Sequence, residues 1–195
     1  MQNNVPVVNV MKNKAIFLDR DGVINKEKDY VYKIDDFAFI DGVVDACLKL
    51  VSTGYKIIVI TNQAGIGRGY YTEKDFGVLT DWMLVSFKKL GVSIDAVYFC
   101  PHHPVYGQGD YLINCQCRKP EPGMIIKAAA IHNLDLEHSF LVGDKLSDIK
   151  AGQAAGVGQN YFVRTGKLIP QKEGALADGI FDTLYDVVNF ISSKQ

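Results

Sequence analysis

The sequence predicts an α/β protein built on a parallel sheet, and three observations carry that prediction. Short apolar runs, Ala15-Ile16-Phe17-Leu18, Tyr55-Lys56-Ile57-Ile58-Val59-Ile60 and Ser139-Phe140-Leu141-Val142 among them, alternate with helical candidates along the chain. Several of these runs end in polar residues able to do chemistry. With 195 residues and 48% hydrophobic composition, the chain is long enough for one domain with a substantial core. Lys and Arg total 21 against 22 Asp and Glu, which argues against a general nucleic-acid or membrane partner.

The first eleven residues lack a cationic start and a long apolar stretch, so they do not read as a secretory signal. Residues 1–13 are expected to form a flexible leader, with Met11 a second candidate start, and 14–195 a single domain. No window approaches the ~20 apolar residues of a membrane span. A soluble cytoplasmic protein is expected.

The first strand runs into Asp19-Arg20-Asp21-Gly22. Side chains two apart on an extended strand share a face, so Asp19 and Asp21 converge if the chain stays extended past Leu18. Two like charges that close need a proton or a cation, and magnesium suits a site with few carboxylates and a phosphate substrate. An Asp-rich turn closed by Gly22 is the competing reading. Cys47, in a helix predicted over Val43 to Val51, is expected to be a buried small hydrophobe.

The second strand ends in Thr61-Asn62-Gln63, a hydroxyl and two amides suited to an oxyanion. Gly65, Gly67 and Gly69 lack the dinucleotide-binding spacing and predict a flexible turn. Thr72 with Asp75 three residues later predicts the start of a helix over Glu73 to Leu90, stopped at Gly91. Its Phe76, Leu79, Met83 and Phe87 fall at core spacing.

Cys100-x-His102 and Cys115-x-Cys117 place three thiols and an imidazole in one loop-rich stretch, residues 100–117. Four such ligands complete a tetrahedral zinc site, and one filled by protein alone is structural. Reduced thiols beside an incidental His are the alternative, since a Cys115–Cys117 disulfide would be strained. Arg118-Lys119-Pro120 then puts two cations ahead of a helix beginning near Pro122 and ending at His132. Val142-Gly143-Asp144-Lys145 closes the next strand, with Asp148 one turn into a helix over Ser147 to Ala155. A strand over Gln159 to Val163 and a helix over Leu184 to Ile191 follow. Ligands of open parallel sheets bind outside the carboxyl ends of the strands, so acid, hydroxyl, cation and acid gathered there describe one active site.

Asp19-x-Asp21, Thr61, Lys119 and Gly143-Asp144 resemble, in order, the four motifs of the haloacid dehalogenase-like phosphohydrolases, over nearly the whole chain. Within that superfamily, residues 19–25, 61–69, 100–104, 115–120 and 142–145 resemble the heptose bisphosphate phosphatases. Histidinol-phosphate phosphatases share much of the pattern. The resemblance implies a three-layer, Rossmann-like parallel sheet of the haloacid dehalogenase type with a zinc-bound loop. The intervals 21–61 and 61–119 are consumed by the elements above, so a minimal cap or none is expected.

The resemblance also implies roles. Asp19 is the expected nucleophile and Asp21 the acid and base, with Mg²⁺ held by Asp19, the Asp21 carbonyl and Asp144. Thr61 and Lys119 would hold the transferring phosphoryl group. Asn62, Gln63, Arg118, Lys145 and the loop Glu27, Lys28, Asp29, Tyr30 would contact substrate, Arg118 meeting the phosphate that is kept. Asp148 is expected behind the ligands, and His103 beside the zinc rather than on it. The implied reaction removes the 7-phosphate of D-glycero-D-manno-heptose 1,7-bisphosphate, the β anomer by weak preference, by a monomer feeding lipopolysaccharide core or another surface glycan. Histidinol-phosphate hydrolysis is the runner-up; a non-catalytic phosphosugar sensor and phosphoryl transfer between sugars are less favoured.

Overall fold

A computed structural model describes residues 12–194. Six strands form one sheet: β1 (Ala15–Leu18), β2 (Lys56–Asn62), β3 (Ala96–Cys100), β4 (Phe140–Gly143), β5 (Gln159–Val163) and β6 (Gly179–Phe181). Their spatial order is β3-β2-β1-β4-β5-β6, and every neighbouring pair is parallel. The helices are α1 (Val43–Ser52), α2 (Ala64–Gly67), α3 (Glu73–Lys89), α4 (Gly123–His132), α5 (Leu146–Ala155), α6 (Gln171–Gly174) and α7 (Leu184–Ser192).

The central strands carry unbroken apolar runs, 15–18 in β1, 57–60 in β2 and 140–142 in β4, because both faces of the sheet are covered. Ile16, Leu18, Ile57 and Val59 point into one core with Cys47 of α1, Met83 of α3 and Val188 of α7. Ala15, Phe17, Ile58 and Ile60 point the other way, against Ile125 of α4 and Ile149 of α5. Strand alternation thus produces three layers from one hydrophobic run. Burial pushes the Cys47 thiol up to about 12, leaving it a packing residue.

The chain goes from β1 outward to β3, then returns to the other side of β1 for β4. That reversal opens a crevice at the carboxyl ends of β1 and β4, the place where such sheets bind ligands.

Most predicted elements appear, with local differences. Thr72 caps α3 as expected: its hydroxyl accepts from the Asp75 N–H at 3.1 Å, and the Asp75 carboxylate accepts from the Thr72 N–H at 2.9 Å. Pro122 is the cap of α4 rather than part of its first turn. Two expectations need correction. The glycine turn is ordered helix α2, where a Cβ on Gly65 would sit 2.2 Å from the Tyr71 ring and one on Gly67 2.5 Å from the Pro101 carbonyl. Its glycines serve close approach, not flexibility. The leader, expected through residue 13, lies outside the described residues except for its end, and Asn13 is not loose. Its N–H donates to the Asn133 carbonyl at 2.9 Å, and its carbonyl accepts from the Asp135 N–H at 2.8 Å.

Candidate active site

The strand ends bring the predicted chemistry together around Lys119. Its ammonium lies 3.0 Å from Asp19 Oδ1 and 2.7 Å from Asp148 Oδ1, and donates to the Ile60 carbonyl at 2.9 Å. Asp19 Oδ1 also accepts the Arg20 N–H at 2.7 Å, leaving Oδ2 without a hydrogen-bond partner among the described residues. Burial raises the Asp19 pKa to about 7, although Lys119 opposes it. A buried carboxylate with one free oxygen suits either a nucleophile or a metal ligand.

Asp144 Oδ2 accepts from the Lys167 N–H at 2.9 Å, while its buried Oδ1 takes no hydrogen bond. Oxygens of Asp19, Asp144 and Asp148 lie within 4.8 Å of one another. A buried carboxylate oxygen that takes no hydrogen bond, with the Lys145 ammonium 3.4 Å away, fits a hard divalent cation in such a cluster. Asp148 is also tied to the backbone, its Oδ2 accepting from the Lys145 N–H at 2.9 Å at the start of α5. Asp148 thus holds both Lys119 and the start of α5 while lying in the same carboxylate cluster as Asp19 and Asp144. Gly22 makes room here, with φ of +89° and Asp144 Oδ2 2.5 Å from where a Cβ would stand.

Asp21 is gripped differently. The Arg20 guanidinium donates to Oδ1 at 2.9 Å and Oδ2 at 3.0 Å, and the Asn25 amide donates to Oδ1 at 3.0 Å. Burial pushes the Asp21 carboxyl up, but Arg20 and Asn25 more than offset it and hold the pKa below the usual value. Arg20 is itself buried, also donating to the Val31 carbonyl at 2.6 Å. Sequence reasoning passed over Arg20, since an Arg between two acids reads as surface neutralisation.

Asn62 and Gln63 line the cleft, and their side-chain amides are also engaged within the protein. The Asn62 amide donates to the Lys119 carbonyl and accepts from the Lys119 N–H, both at 3.0 Å, pinning the cation's backbone to β2. The Gln63 amide donates to Asp21 Oδ2 at 3.1 Å and Thr61 Oγ1 at 2.8 Å, and accepts from the Tyr71 hydroxyl at 2.6 Å. With both of its N–H groups used, the Gln63 side-chain amide is a strut between acid and hydroxyl. Tyr71 was not foreseen because nothing local marks its contact.

Above these groups lies a cleft of about 310 Å³, with Glu27, Asp29, Tyr30, Arg118, Lys145 and Lys167 in its wall. Lys145 meets Glu27 at 3.0 Å and Asp144 at 3.4 Å, and Lys167 meets Asp29 at 3.1 Å. Asp29 and Tyr30 have φ of +48° and +58°, so the loop is held in an unusual conformation over the cleft. Lys28 is exposed like Asp29 and Tyr30 but, unlike them, does not line the cleft. Arg118 donates to the His102 carbonyl at 3.2 Å, and burial lowers its pKa.

The four zinc candidates also converge. The sulfur separations are 3.1 Å for Cys100 and Cys117, 3.2 Å for Cys115 and Cys117, and 3.5 Å for Cys100 and Cys115. His102 Nδ1 lies 3.3 Å from Cys117 Sγ and 3.6 Å from Cys100 Sγ. A tetrahedron with Zn–S bonds of about 2.3 Å sets sulfurs roughly 3.8 Å apart, so this cluster has close to the size of a zinc cage. His103 lies outside it, its Nδ1 accepting the Val105 and Tyr106 N–H groups at 3.2 and 3.1 Å.

Comparison with known proteins supplies a second line. Residues 116–187 match the HAD-hydrolase-like family. The D-glycero-β-D-manno-heptose-1,7-bisphosphate 7-phosphatase of Yersinia pestis is 45% identical over 92% of this chain and 96% of its own length. The Escherichia coli K12 protein of the same name is 47% identical over 93% of this chain and 95% of its own. Among solved structures, a D,D-heptose 1,7-bisphosphate phosphatase from B. bronchiseptica, complexed with magnesium and phosphate, superposes with a TM-score of 0.80 at 29% identity. It covers 93% of this chain and 99% of that one.

Proposed function

The chain belongs to the D-glycero-D-manno-heptose-1,7-bisphosphate 7-phosphatases of the haloacid dehalogenase-like hydrolases, and from that membership we infer that it hydrolyses the 7-phosphate of this bisphosphate and leaves heptose 1-phosphate. The observation that carries the reading is the buried Asp19 carboxylate, one oxygen on Lys119 and the other unengaged, with Lys119 itself lining a cleft whose wall holds further cations. In this reading Asp19 attacks phosphorus and carries the phosphoryl group as an aspartyl-phosphate, splitting one hard hydrolysis into two steps. Thr61 and Lys119 hold the transferring oxygens. Asp21 donates a proton to the leaving sugar oxygen and later takes one from water. Its lowered pKa suits the base half, and an arriving phosphate dianion raises it for the acid half.

Asp19, the Asp21 carbonyl and Asp144 are the groups that would hold Mg²⁺, which when bound shields the nucleophile from the charge of the phosphate. Cys100, His102, Cys115 and Cys117 would hold Zn²⁺ with no open position, steadying the loop that delivers Arg118 and Lys119. In a Cys115→Ser variant, bound zinc is expected to fall from about one per chain to well below half, with faster proteolysis of residues 100–117. Full zinc occupancy measured by metal analysis would refute the ligand set.

The product keeps its 1-phosphate for nucleotide activation, in supply of heptose for lipopolysaccharide core or another surface glycan. Among the described residues no helix is long and apolar enough to cross a membrane. Free thiols arranged for metal fit a reducing cytoplasm. The deciding assay offers both anomers of the bisphosphate and histidinol phosphate to the Mg²⁺-loaded enzyme. The β bisphosphate is expected to give the highest kcat/KM, and faster turnover of histidinol phosphate would reverse the assignment.

A further inference from the structure

The cations around the cleft are not equivalent. Lys119, Lys145 and Lys167 each meet a carboxylate of the protein, whereas Arg68 and Arg118 meet none within ion-pair distance among the described residues. Both guanidinium groups line the same cleft, and both touch the same short segment: Arg118 the carbonyl of His102, Arg68 the ring of His103. Arg68 is held by aromatic rings, its guanidinium carbon 4.7 Å from the centre of Tyr106 and 5.9 Å from that of Tyr30. Its Nε is buried without a partner. Two guanidinium groups lining one cleft with no carboxylate partner suit an anion.

The contact between Arg68 and His103 makes the same point in hydrogen bonds. His103 Nδ1 accepts two backbone N–H groups, so a neutral ring carries its proton on Nε2. That nitrogen lies 3.2 Å from Arg68 Nη2, which is also only a donor. Two donors face each other with no acceptor between them.

We propose that Arg68 and the Nε2–H of His103 join Arg118 in binding the phosphate that the enzyme leaves in place, making Arg68 a specificity-determining residue for bisphosphate over monophosphate sugars. This rests on the phosphatase reading above. A phosphate monoester matches the site chemically, since it has three acceptor oxygens and its dianion balances two guanidinium charges. His103 follows His102 and Arg118 follows Cys117, so the cysteine loop and the residue just past it supply two of the three groups and the C-cap of α2 the third.

The test compares kcat/KM for heptose 1,7-bisphosphate with that for heptose 7-phosphate, which lacks the second phosphate. In Arg68→Ala the ratio is expected to fall roughly 10- to 100-fold, chiefly through a higher KM for the bisphosphate, as for loss of a charged hydrogen-bond donor. Arg68→Lys should recover part of it. His103→Asn keeps an acceptor for the two backbone N–H groups while removing the Nε2 donor, and should lower the ratio roughly 3- to 10-fold. A wild-type enzyme that hydrolyses neither sugar phosphate defeats the phosphatase reading and this proposal with it. A wild type that prefers the bisphosphate, with a ratio in Arg68→Ala within about twofold of its own, defeats the proposal alone. Equal losses on both substrates would mark Arg68 as merely structural and also overturn it.

Discussion

Replacing Asp19 by asparagine is expected to lower kcat for phosphate release by at least about 10⁴-fold, the scale seen when a covalent nucleophile is removed. An amide of the same shape still accepts the Arg20 N–H but cannot form an acyl phosphate. The same change should leave the fold intact or strengthen it. Burial already pushes the Asp19 carboxyl up to about 7, so its charge is a strain that the folded chain carries for function. Urea unfolding at pH 8 without added magnesium is therefore expected to give a midpoint at or above that of the wild type. Activity within tenfold of wild type, with the variant's mass confirmed, would remove Asp19 from the reaction.

Lys119→Met should damage both activity and stability, for one reason. The ammonium is buried between Asp19 and Asp148, at 3.0 and 2.7 Å, and removing one partner of a buried ionic cluster typically costs about 3–5 kcal/mol. The cost should depend on pH with a definite sign. Asp19 has a folded pKa near 7 against 3.8 unfolded, so the native state binds the extra proton in that interval and stability from this group falls as pH rises through it. Without Lys119 the folded value moves higher still, and the interval extends upward. Near pH 5 Asp19 is protonated in both folded proteins, whereas at pH 8 both bear a cost for the buried charge or a retained proton and the variant's is larger. The stability gap between wild type and Lys119→Met is thus expected to widen between about pH 6 and pH 8, read by urea midpoints without added magnesium. A gap independent of pH would mean that Asp19 does not feel the lysine.

Residues 15–18, 56–62 and 140–143 could be read as buried strands because covering a parallel sheet on both faces leaves a continuous apolar run, a signal local in sequence. Asp19, Asp21, Thr61 and Asp144 were legible for the same reason, each standing just past or at the end of such a run. The zinc candidates were legible from residue type and spacing alone. The ordered α2 was not, because three glycines so close together look like freedom until Tyr71 and Pro101 crowd against them. Nor were the protein partners of Asn62 and Gln63: an amide at a strand end has the same local appearance whether its side chain is free or, as here, bonded to Lys119, Asp21 and Thr61.

The order of residue types along this chain was enough to establish a parallel α/β sheet, the strand ends that bear carboxylates, and a loop that gathers three cysteines and a histidine. Periodicity and spacing are properties of neighbours in the chain, and those features depend on little else. Which cations are neutralised and which stay open is decided by contacts across tens of residues: Lys145 with Glu27, Lys167 with Asp29, and Arg68 facing His103 with no carboxylate between them. Charge pairing is a matter of distance in space, and only the packed fold sets those distances.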